Sequence, residues 1–353
     1  MTRLFRSEPR FVVLLGPREP MDSRNLSSRP TSIRYSSPDK GIIILDIPRT
    51  LEECQLPSGH ETIVTRRIRS VEPIAQPFET PEPKDNGYAS QNKSAAAQIA
   101  DLMTTATIQD ALEHTYSSFH ESYCLPRITD LEDAPNPPSA PFIPENATFL
   151  HGSIQELSSQ CRESAPKFRL VVLDPPWPNR SVRRKTAGYS TAYNLDEMGQ
   201  LLSHIPIPSH LSPDGLVAIW ITNKPSIIDL LSSPSGLFAQ WGLELVTEWT
   251  WVKVTASGEP IFDVESAWRK PWEKLLIAKR TGTPTPQGLR SKTIFAVPDV
   301  HSRKPNLRGL FDELLEPGYD ALEVFARNLT AGWWSWGNEV LQFQEAHHWV
   351  DQK

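Results

Sequence analysis

The sequence predicts an α/β fold built on a mostly parallel sheet, and three observations indicate it. Phe168–Leu173 is a run of apolar and β-branched residues that stops at an acid and two prolines, which is typical of a buried parallel strand. Similar strand-like runs recur towards the C-terminus, with amphipathic segments between some of them. The 353 residues are enough for one or two domains with a substantial core.

The second half of the chain holds most of the predicted elements. Strands are predicted at residues 169–173, 216–222, 243–254, 273–278, 292–297 and 321–325. Helices are predicted at residues 195–203, 225–231 and 306–315. Because only a loop separates the strands that contain Trp251 and Leu275, this pair is expected to be antiparallel.

The N-terminal region differs in composition from the rest. All 11 tryptophans lie at or beyond Trp177. Prolines are dense in residues 73–83 and 126–144, which indicates linkers or extended coil, and the Ala-rich residues 94–114 indicate one helix. Two short β-like runs, residues 11–15 and 41–45, are expected to pair in a small accessory module. The predicted organisation is therefore a partly disordered, proline-rich accessory region (1–140), a main domain (141–343) and a short tail (344–353).

Composition excludes several classes of protein. Cys54, Cys124 and Cys161 are widely spaced and lack a Cys-x-x-Cys pair, so we expect neither a disulfide framework nor a structural zinc site. No apolar run approaches the roughly 20 residues that span a bilayer. The net charge of −6 argues against binding to nucleic acid by bulk phosphate attraction, so any such binding must depend on local patches.

Asp174-Pro175-Pro176-Trp177 follows the first predicted strand, at the edge where open α/β sheets bind ligands. Two acceptors that take both N–H bonds of an exocyclic amine on a nucleobase would free its lone pair to attack an activated methyl group. Asp174 is the predicted first acceptor and the carbonyl of Pro175 the second, since proline keeps its C=O. Pro176 fixes the path of the chain, and Trp177 would stack on the base. The alternative is a strand-ending acid, a proline turn and a core tryptophan.

A basic segment follows this motif directly. We expect it to hold a backbone phosphate while the target base enters the pocket, the alternative being a solvated surface loop. The predicted substrate-binding residues are Arg180, Arg183, Arg184, Lys185 and Tyr189. Trp268 and Trp272, which flank a basic segment further along, are open between substrate contact and core packing.

The four-residue motif resembles the signature of the MT-A70 family, and the further likeness is to its methyltransferase-like protein four branch. The likeness runs in order from about Phe149 to Phe343 and includes residues 205–208, 215–223, 248–253, 270–273, 304–305, 322–328, 332–333 and 336–339. It implies a Rossmann-like, S-adenosylmethionine-dependent methyltransferase fold in permuted order, with the catalytic half before the cofactor half and an N-terminal extension. It also implies methyl transfer to N6 of adenine, in small nuclear RNA or in DNA.

The resemblance also implies which residues contact S-adenosylmethionine. Lys304 is a point cation suited to the methionine carboxylate, and Phe325 is suited to the adenine ring. Ser153 stands where several relatives have Asp, so its role is open. The implied cofactor-binding residues are Ser153, Ile154, Asp174, Lys304, Phe325, Arg327, Asn328, Asn338 and Glu339.

A second hypothesis is a catalytically silent scaffold that binds RNA for an active partner, as occurs within the family. Loss of the acid usually marks such members, whereas Asp174 is present here. No metal is expected, because the sulfonium leaving group is already cationic. We expect a monomer in the nucleus, with a protein partner through the N-terminal region and a cytoplasmic or mitochondrial location as alternatives.

Overall fold

The computed structural model describes residues 31–58, 64–79, 94–129, 140–178, 194–266 and 269–352. All of them belong to one unit that begins at Thr31. The strands are β1 (Ile33–Ser36), β2 (Ile42–Leu45), β3 (Arg66–Ile68), β4 (Thr148–His151), β5 (Phe168–Leu173), β6 (Leu211–Ile221), β7 (Leu243–Lys253), β8 (Trp272–Arg280), β9 (Lys292–Ala296), β10 (Ala321–Val324), β11 (Trp334–Gly337) and β12 (Trp349–Asp351). The α-helices are α1 (Ile47–Glu53), α2 (Ala95–Ser118), α3 (Ile154–Ser164), α4 (Leu195–Ser203), α5 (Ile207–His210), α6 (Pro225–Ser232), α7 (Leu237–Gln240) and α8 (Arg308–Phe311).

One large mixed sheet organises this unit. Its strand order is β1-β2-β9-β7-β8-β6-β5-β10-β11-β4. The run β6-β5-β10-β11-β4 is parallel throughout, and so is the run β2-β9-β7. Strand β8 lies between them and is antiparallel to both neighbours. Strands β10 and β11 come late in the chain but lie between β5 and β4, so the sheet edge near β5 combines distant parts of the sequence.

Strand β5 is covered on both faces, which explains its continuous apolar sequence. Because side chains alternate along a strand, Val171 and Leu173 pack into one apolar cluster, which includes residues of α3, α4 and α6. Leu170 and Val172 pack on the opposite face, in a cluster with residues of α1 and α8. The strand is therefore held rigidly, and the residue that follows it is placed at a fixed point of the sheet edge.

Most predicted elements of the second half form close to their expected bounds. Helix α4 covers residues 195–203 as predicted. Strands β7 and β8 are antiparallel, with Trp249 opposite Leu275, so that prediction is confirmed. Strand β6 begins earlier than predicted, at Leu211, and its register against β5 shifts between Phe168 and Leu170, as a bulge requires.

The helix predicted at residues 306–315 is wrong in length. Only Arg308–Phe311 is α-helical, and turns follow it. Gly309 in this short helix disfavours longer helical structure. The Arg308 guanidinium donates hydrogen bonds to the carbonyls of Glu53, Cys54 and Leu56, so contacts with α1 position this segment.

The predicted accessory module is wrong for residues 31–58. The run predicted at residues 41–45 forms β2, which pairs with β1, a strand that the sequence did not predict. Strand β2 also pairs in parallel with β9, with Ile42 opposite Thr293, so both belong to the main sheet. The partner of a short strand is set by contacts distant in sequence, which the local pattern does not carry. Residues 11–15 lie outside the described part of the chain. In the predicted tail, β12 pairs with β3.

Helix α2 confirms the Ala-rich helix predicted between the proline-dense stretches. Ser94 caps its N-terminus by accepting a hydrogen bond from the Ala97 amide. The helix runs to Ser118, slightly beyond the predicted end. Within the described ranges, no helix combines the length and apolar character needed to cross a lipid bilayer.

Candidate active site

Four parallel strand ends place residues predicted to bind the cofactor or substrate at one edge of the sheet. Asp174 follows β5, Phe325 follows β10 and Asn338 follows β11, while Ser153 lies two residues beyond β4. The strands are in register, because Leu173 lies opposite Val324. This is the carboxyl edge of a parallel sheet, the usual ligand-binding position in open α/β folds.

A cavity of about 750 Å³ opens at this edge. Its wall includes the whole motif Asp174–Trp177. The volume lies within the roughly 300–1000 Å³ typical of small-molecule sites. The predicted catalytic residues therefore lie together on a cavity large enough for a ligand.

Four side chains of alternating charge, which we call the charge row, contact one another at the site in the order Asp174, Lys304, Glu273 and Lys253. Lys304 Nζ lies 3.0 Å from Asp174 Oδ1 and 2.8 Å from Glu273 Oε2. Glu273 Oε1 lies 2.5 Å from Lys253 Nζ. Burial alone would raise the pKa of Glu273, but Lys304 and Lys253 hold it down at about 2. Burial alone would lower the pKa of Lys304, but Asp174 and Glu273 raise it above its ordinary value. Glu273 and Lys304 are therefore both ionised at neutral pH.

This arrangement gives Lys304 contacts that the sequence did not predict. The sequence suggested that it binds the cofactor carboxylate, whereas in the structure it donates to Asp174 and Glu273. Within the described part of the chain, Lys304 is the only side chain bonded to Asp174, through Oδ1, which leaves Oδ2 for another donor. Lys304 therefore holds the Asp174 carboxylate in position.

Pro175 and Trp177 form a tight turn after the aspartate. The Pro175 carbonyl accepts a hydrogen bond from the Trp177 amide at 2.8 Å, and a carbonyl oxygen has a second lone pair for another donor. Trp177 is only 8% exposed, and its indole N–H donates to the Trp220 carbonyl at 2.7 Å. Trp177 is therefore part of the cavity wall, and the stacking of a base on its face stays a prediction.

A second pocket beside the first brings several predicted cofactor residues together. Ser153, Ile154, Phe325 and Asn338 line it, and Pro176 lines both cavities. Phe325 has a φ of 62°, an unusual conformation for a bulky residue that is often found at functional sites. Gly337, at the end of β11, permits a close approach to the segment that follows β10, because a Cβ at Gly337 would lie 3.0 Å from the Ala326 carbonyl oxygen.

Ser153 and the remaining predicted cofactor residues have defined partners. Ser153 is the N-cap of α3, where its hydroxyl accepts from the Glu156 amide and donates to the Glu156 carboxylate. Arg327, on the wall of the large cavity, pairs with Glu339 at 2.9 Å. Asn328 lines a small third cavity together with Asp174 and Lys304. Ser153 thus has a structural role as the N-cap of α3.

The third cavity also contains a carboxyl group that the sequence reasoning missed. Glu323 lies in β10 opposite Val172, so it is on the same sheet face as Asp174. Burial, and then the negative charge of Asp174, raise the pKa of Glu323 to about 8. The resemblance to the family was the sequence signal that could have identified these charged groups, because it covers the segments that contain Glu323, Glu273 and Lys253.

Other predicted contacts lie elsewhere or outside the described residues. The basic segment with Arg180, Arg183, Arg184, Lys185 and Tyr189 falls in residues 179–193, and Trp268 in 267–268, which are not described. Trp272 is 2% exposed, so the core alternative holds for it. In the described ranges, no three His, Cys, Asp or Glu side chains are grouped so as to hold a metal ion.

Comparison with known proteins agrees with this geometry. The MT-A70 family model matches residues 168–339, which contain Asp174, Lys253, Glu273 and Lys304 and part of the second pocket. An N6-methyladenosine RNA methyltransferase, MTA1, of Cryphonectria parasitica is 48% identical over 91% of this chain and 94% of its own length. The protein of the same name from Pyricularia oryzae is 43% identical over 90% of this chain and 96% of its own length. The N(6)-adenine-specific methyltransferase METTL4 of Mus musculus is 38% identical over 59% of this chain and 45% of its own length. The chain belongs to the MT-A70 family.

Proposed function

We propose that this protein transfers a methyl group from S-adenosylmethionine to the exocyclic N6 amine of adenine in RNA. The observation that carries the proposal is the position of Asp174. It stands on a large cavity, its Oδ1 is held by Lys304, and it is next to the pocket formed by Ser153, Phe325 and Asn338. The two fungal relatives, which match this chain over most of its length, support adenine in RNA as the substrate.

The residues of the second pocket fit the chemistry of the cofactor. Phe325 offers an aromatic ring for the adenine moiety, and the Asn338 amide offers a donor and an acceptor. When bound, S-adenosylmethionine supplies a methyl group on a cationic sulfur. The permuted strand order, with β10 and β11 between β4 and β5, supports the same assignment.

The residues of the large cavity would act on the amine. Asp174 Oδ2 accepts one N–H of the amine, and the free lone pair of the Pro175 carbonyl accepts the other. Positive charge would develop on the nitrogen as it is methylated, and the fixed carboxylate beside it would stabilise that charge. The methylated nitrogen would then lose one N–H proton to water. Lys304 keeps the carboxylate oriented, because it donates to Oδ1 and leaves Oδ2 for the ligand.

The test is the substitution Asp174→Asn, which keeps the shape of the side chain and removes its charge. We expect turnover of a single-stranded RNA substrate to fall about 100-fold to 1000-fold, the usual cost of losing one stabilising group in a transition state. Affinity for S-adenosylmethionine, measured by calorimetry, should change little. Mass spectrometry of the digested RNA identifies the modified nucleoside.

The matched control is Asp214→Asn. Asp214 pairs with Arg169 at 3.1 Å near the opposite end of β5, and its side chain is 59% exposed. This variant should keep wild-type activity. A wild-type protein that binds RNA but neither binds the cofactor nor methylates any oligonucleotide would be a silent scaffold, and the proposal would then be wrong.

A further inference from the structure

The proline-dense stretch read from the sequence as a linker has an ordered end beside the catalytic cavity. The Val71 amide donates to Asp299 Oδ1 at 3.2 Å. Further along, the Ile74 carbonyl accepts from the Ala256 amide at 2.9 Å, and the Phe78 amide donates to the Ile261 carbonyl at 2.9 Å. Residues 71–78 are thus fixed against the loop that follows β7 and against the segment that follows β9.

This segment contributes to the wall of the site. Ile74 and Phe78 line the same 750 Å³ cavity as Asp174. Phe78 is nevertheless 51% exposed, whereas Trp177, Trp220 and Trp251 on the inner wall are nearly buried. Phe78 therefore marks the mouth of the cavity, where its ring meets both the cavity and the solvent.

A second aromatic ring supports Phe78. The centroids of the Phe78 and Phe262 rings are 5.5 Å apart, with 36° between their planes. The Arg269 guanidinium carbon lies 5.5 Å from the Phe262 centroid. We call Phe78 and Phe262 the Phe78 shelf. A single exposed aromatic is ordinary on a protein surface, but a supported and backbone-anchored pair at the mouth of a catalytic cavity is a more specific arrangement.

We propose that the Phe78 shelf stacks the nucleotide that neighbours the target adenosine in a single-stranded RNA substrate. The inference rests on the proposed function. An adenine that enters the cavity must leave its stack, so the next base along the strand loses a neighbour. The face of Phe78 replaces that neighbour, because base-aromatic stacking tolerates any base.

The charges around the shelf agree with stacking as the main interaction. Arg269 is exposed and basic, but Asp263 and Glu265, in the same segment between β7 and β8, are exposed and acidic. Such mixed charge does not make a phosphate-binding patch, in line with the net charge of −6. The shelf therefore holds the base rather than the phosphate, and its contribution should depend weakly on salt concentration.

The experiment compares full-length wild type, Phe78→Ala and Phe78→Trp on RNA oligonucleotides with one target adenosine. Phe78→Ala should raise KM about tenfold, which corresponds to the stacking of one base, with kcat little changed. Phe78→Trp should retain wild-type KM, because it keeps an aromatic face. Leu102→Ala is the control, since Leu102 on α2 is 69% exposed and does not line the cavity.

Substrates with an abasic site on the 5′ or the 3′ side of the adenosine give the decisive comparison. On one of these two substrates the KM of the wild type should rise as much as Phe78→Ala raises it on the intact strand. On that same substrate Phe78→Ala should raise KM no further. Equal KM values for wild type and Phe78→Ala on intact RNA would overturn the inference. So would a rise in KM from Phe78→Ala that is as large on both abasic substrates as on intact RNA. A wild type that methylates no RNA at all would instead count against the proposed function.

Discussion

Two glutamates beside the same aspartate show how neighbouring charges decide the state of a buried group. Glu273, at the start of β8, contacts Lys253 and Lys304, and its pKa is held at about 2. Glu323, in β10, has no hydrogen-bonding side chain among the described residues, and burial together with Asp174 raises its pKa to about 8. Burial acts in the same direction on both carboxyls. The cations next to Glu273 reverse it, so pairing decides which glutamate is charged.

The largest expected effect comes from Lys304→Met, which removes the cation that Glu273 and Asp174 share. Both carboxylates would stay partly buried without the positive charge of Lys304 beside them. Such a change typically costs about 3–5 kcal/mol. We expect the free energy of unfolding in urea to fall by about 3 kcal/mol and turnover to fall at least about 100-fold, because Asp174 loses its orienting partner.

Lys40→Met is the control for this substitution. Lys40 pairs with Glu313 at 3.1 Å, but its side chain is 57% exposed, so its loss should cost less than about 1 kcal/mol. If the free energy of unfolding falls by similar amounts in the two variants, the charge row at the site contributes no more to stability than a surface ion pair does.

A smaller effect is expected from Glu273→Gln, and it should depend on pH. The pKa of Glu273 is lower in the folded protein than in the unfolded chain, so its stabilisation is present above about pH 4.5 and is lost as the pH falls towards about 2. The variant should be less stable than wild type by about 2 kcal/mol at pH 7, with the difference shrinking towards pH 3. Urea unfolding at both pH values measures it, and a difference that stays constant with pH would contradict the assignment.

The smallest effect, with the opposite dependence on pH, is expected from Glu323→Gln. The folded pKa of Glu323 is raised, so its contribution is fully present below about pH 4.5 and is lost as the pH rises through about 8. Wild type should therefore lose stability relative to the variant as the pH rises above about 4.5, by about 1 kcal/mol between about pH 5 and about pH 6. If the two proteins keep parallel stability curves over this range, Glu323 titrates normally and the contrast with Glu273 fails.

Much of the site was predictable because it follows strands that have clear patterns. The apolar run of β5 predicts both the strand and the position of Asp174, and Phe325 follows β10 in the same way. The resemblance to the family predicts that Ser153, Ile154 and Asn338 contact one ligand, and these residues line the same pocket. The function of Lys304 was not predictable, since a lysine suits any carboxylate and only the fold brings Glu273 beside it.

The sequence by itself determined the local features of this protein: the strands, the helices with clear caps, and the acid that ends β5. Those follow from side-chain alternation, capping and proline chemistry, which act over a few residues. Tertiary structure alone decided that β2 joins the main sheet, that Glu273 and Glu323 lie near Asp174, and that Phe78 reaches the cavity mouth. These contacts join residues about 100 positions or more apart in several cases, and a local pattern carries no information about a distant partner.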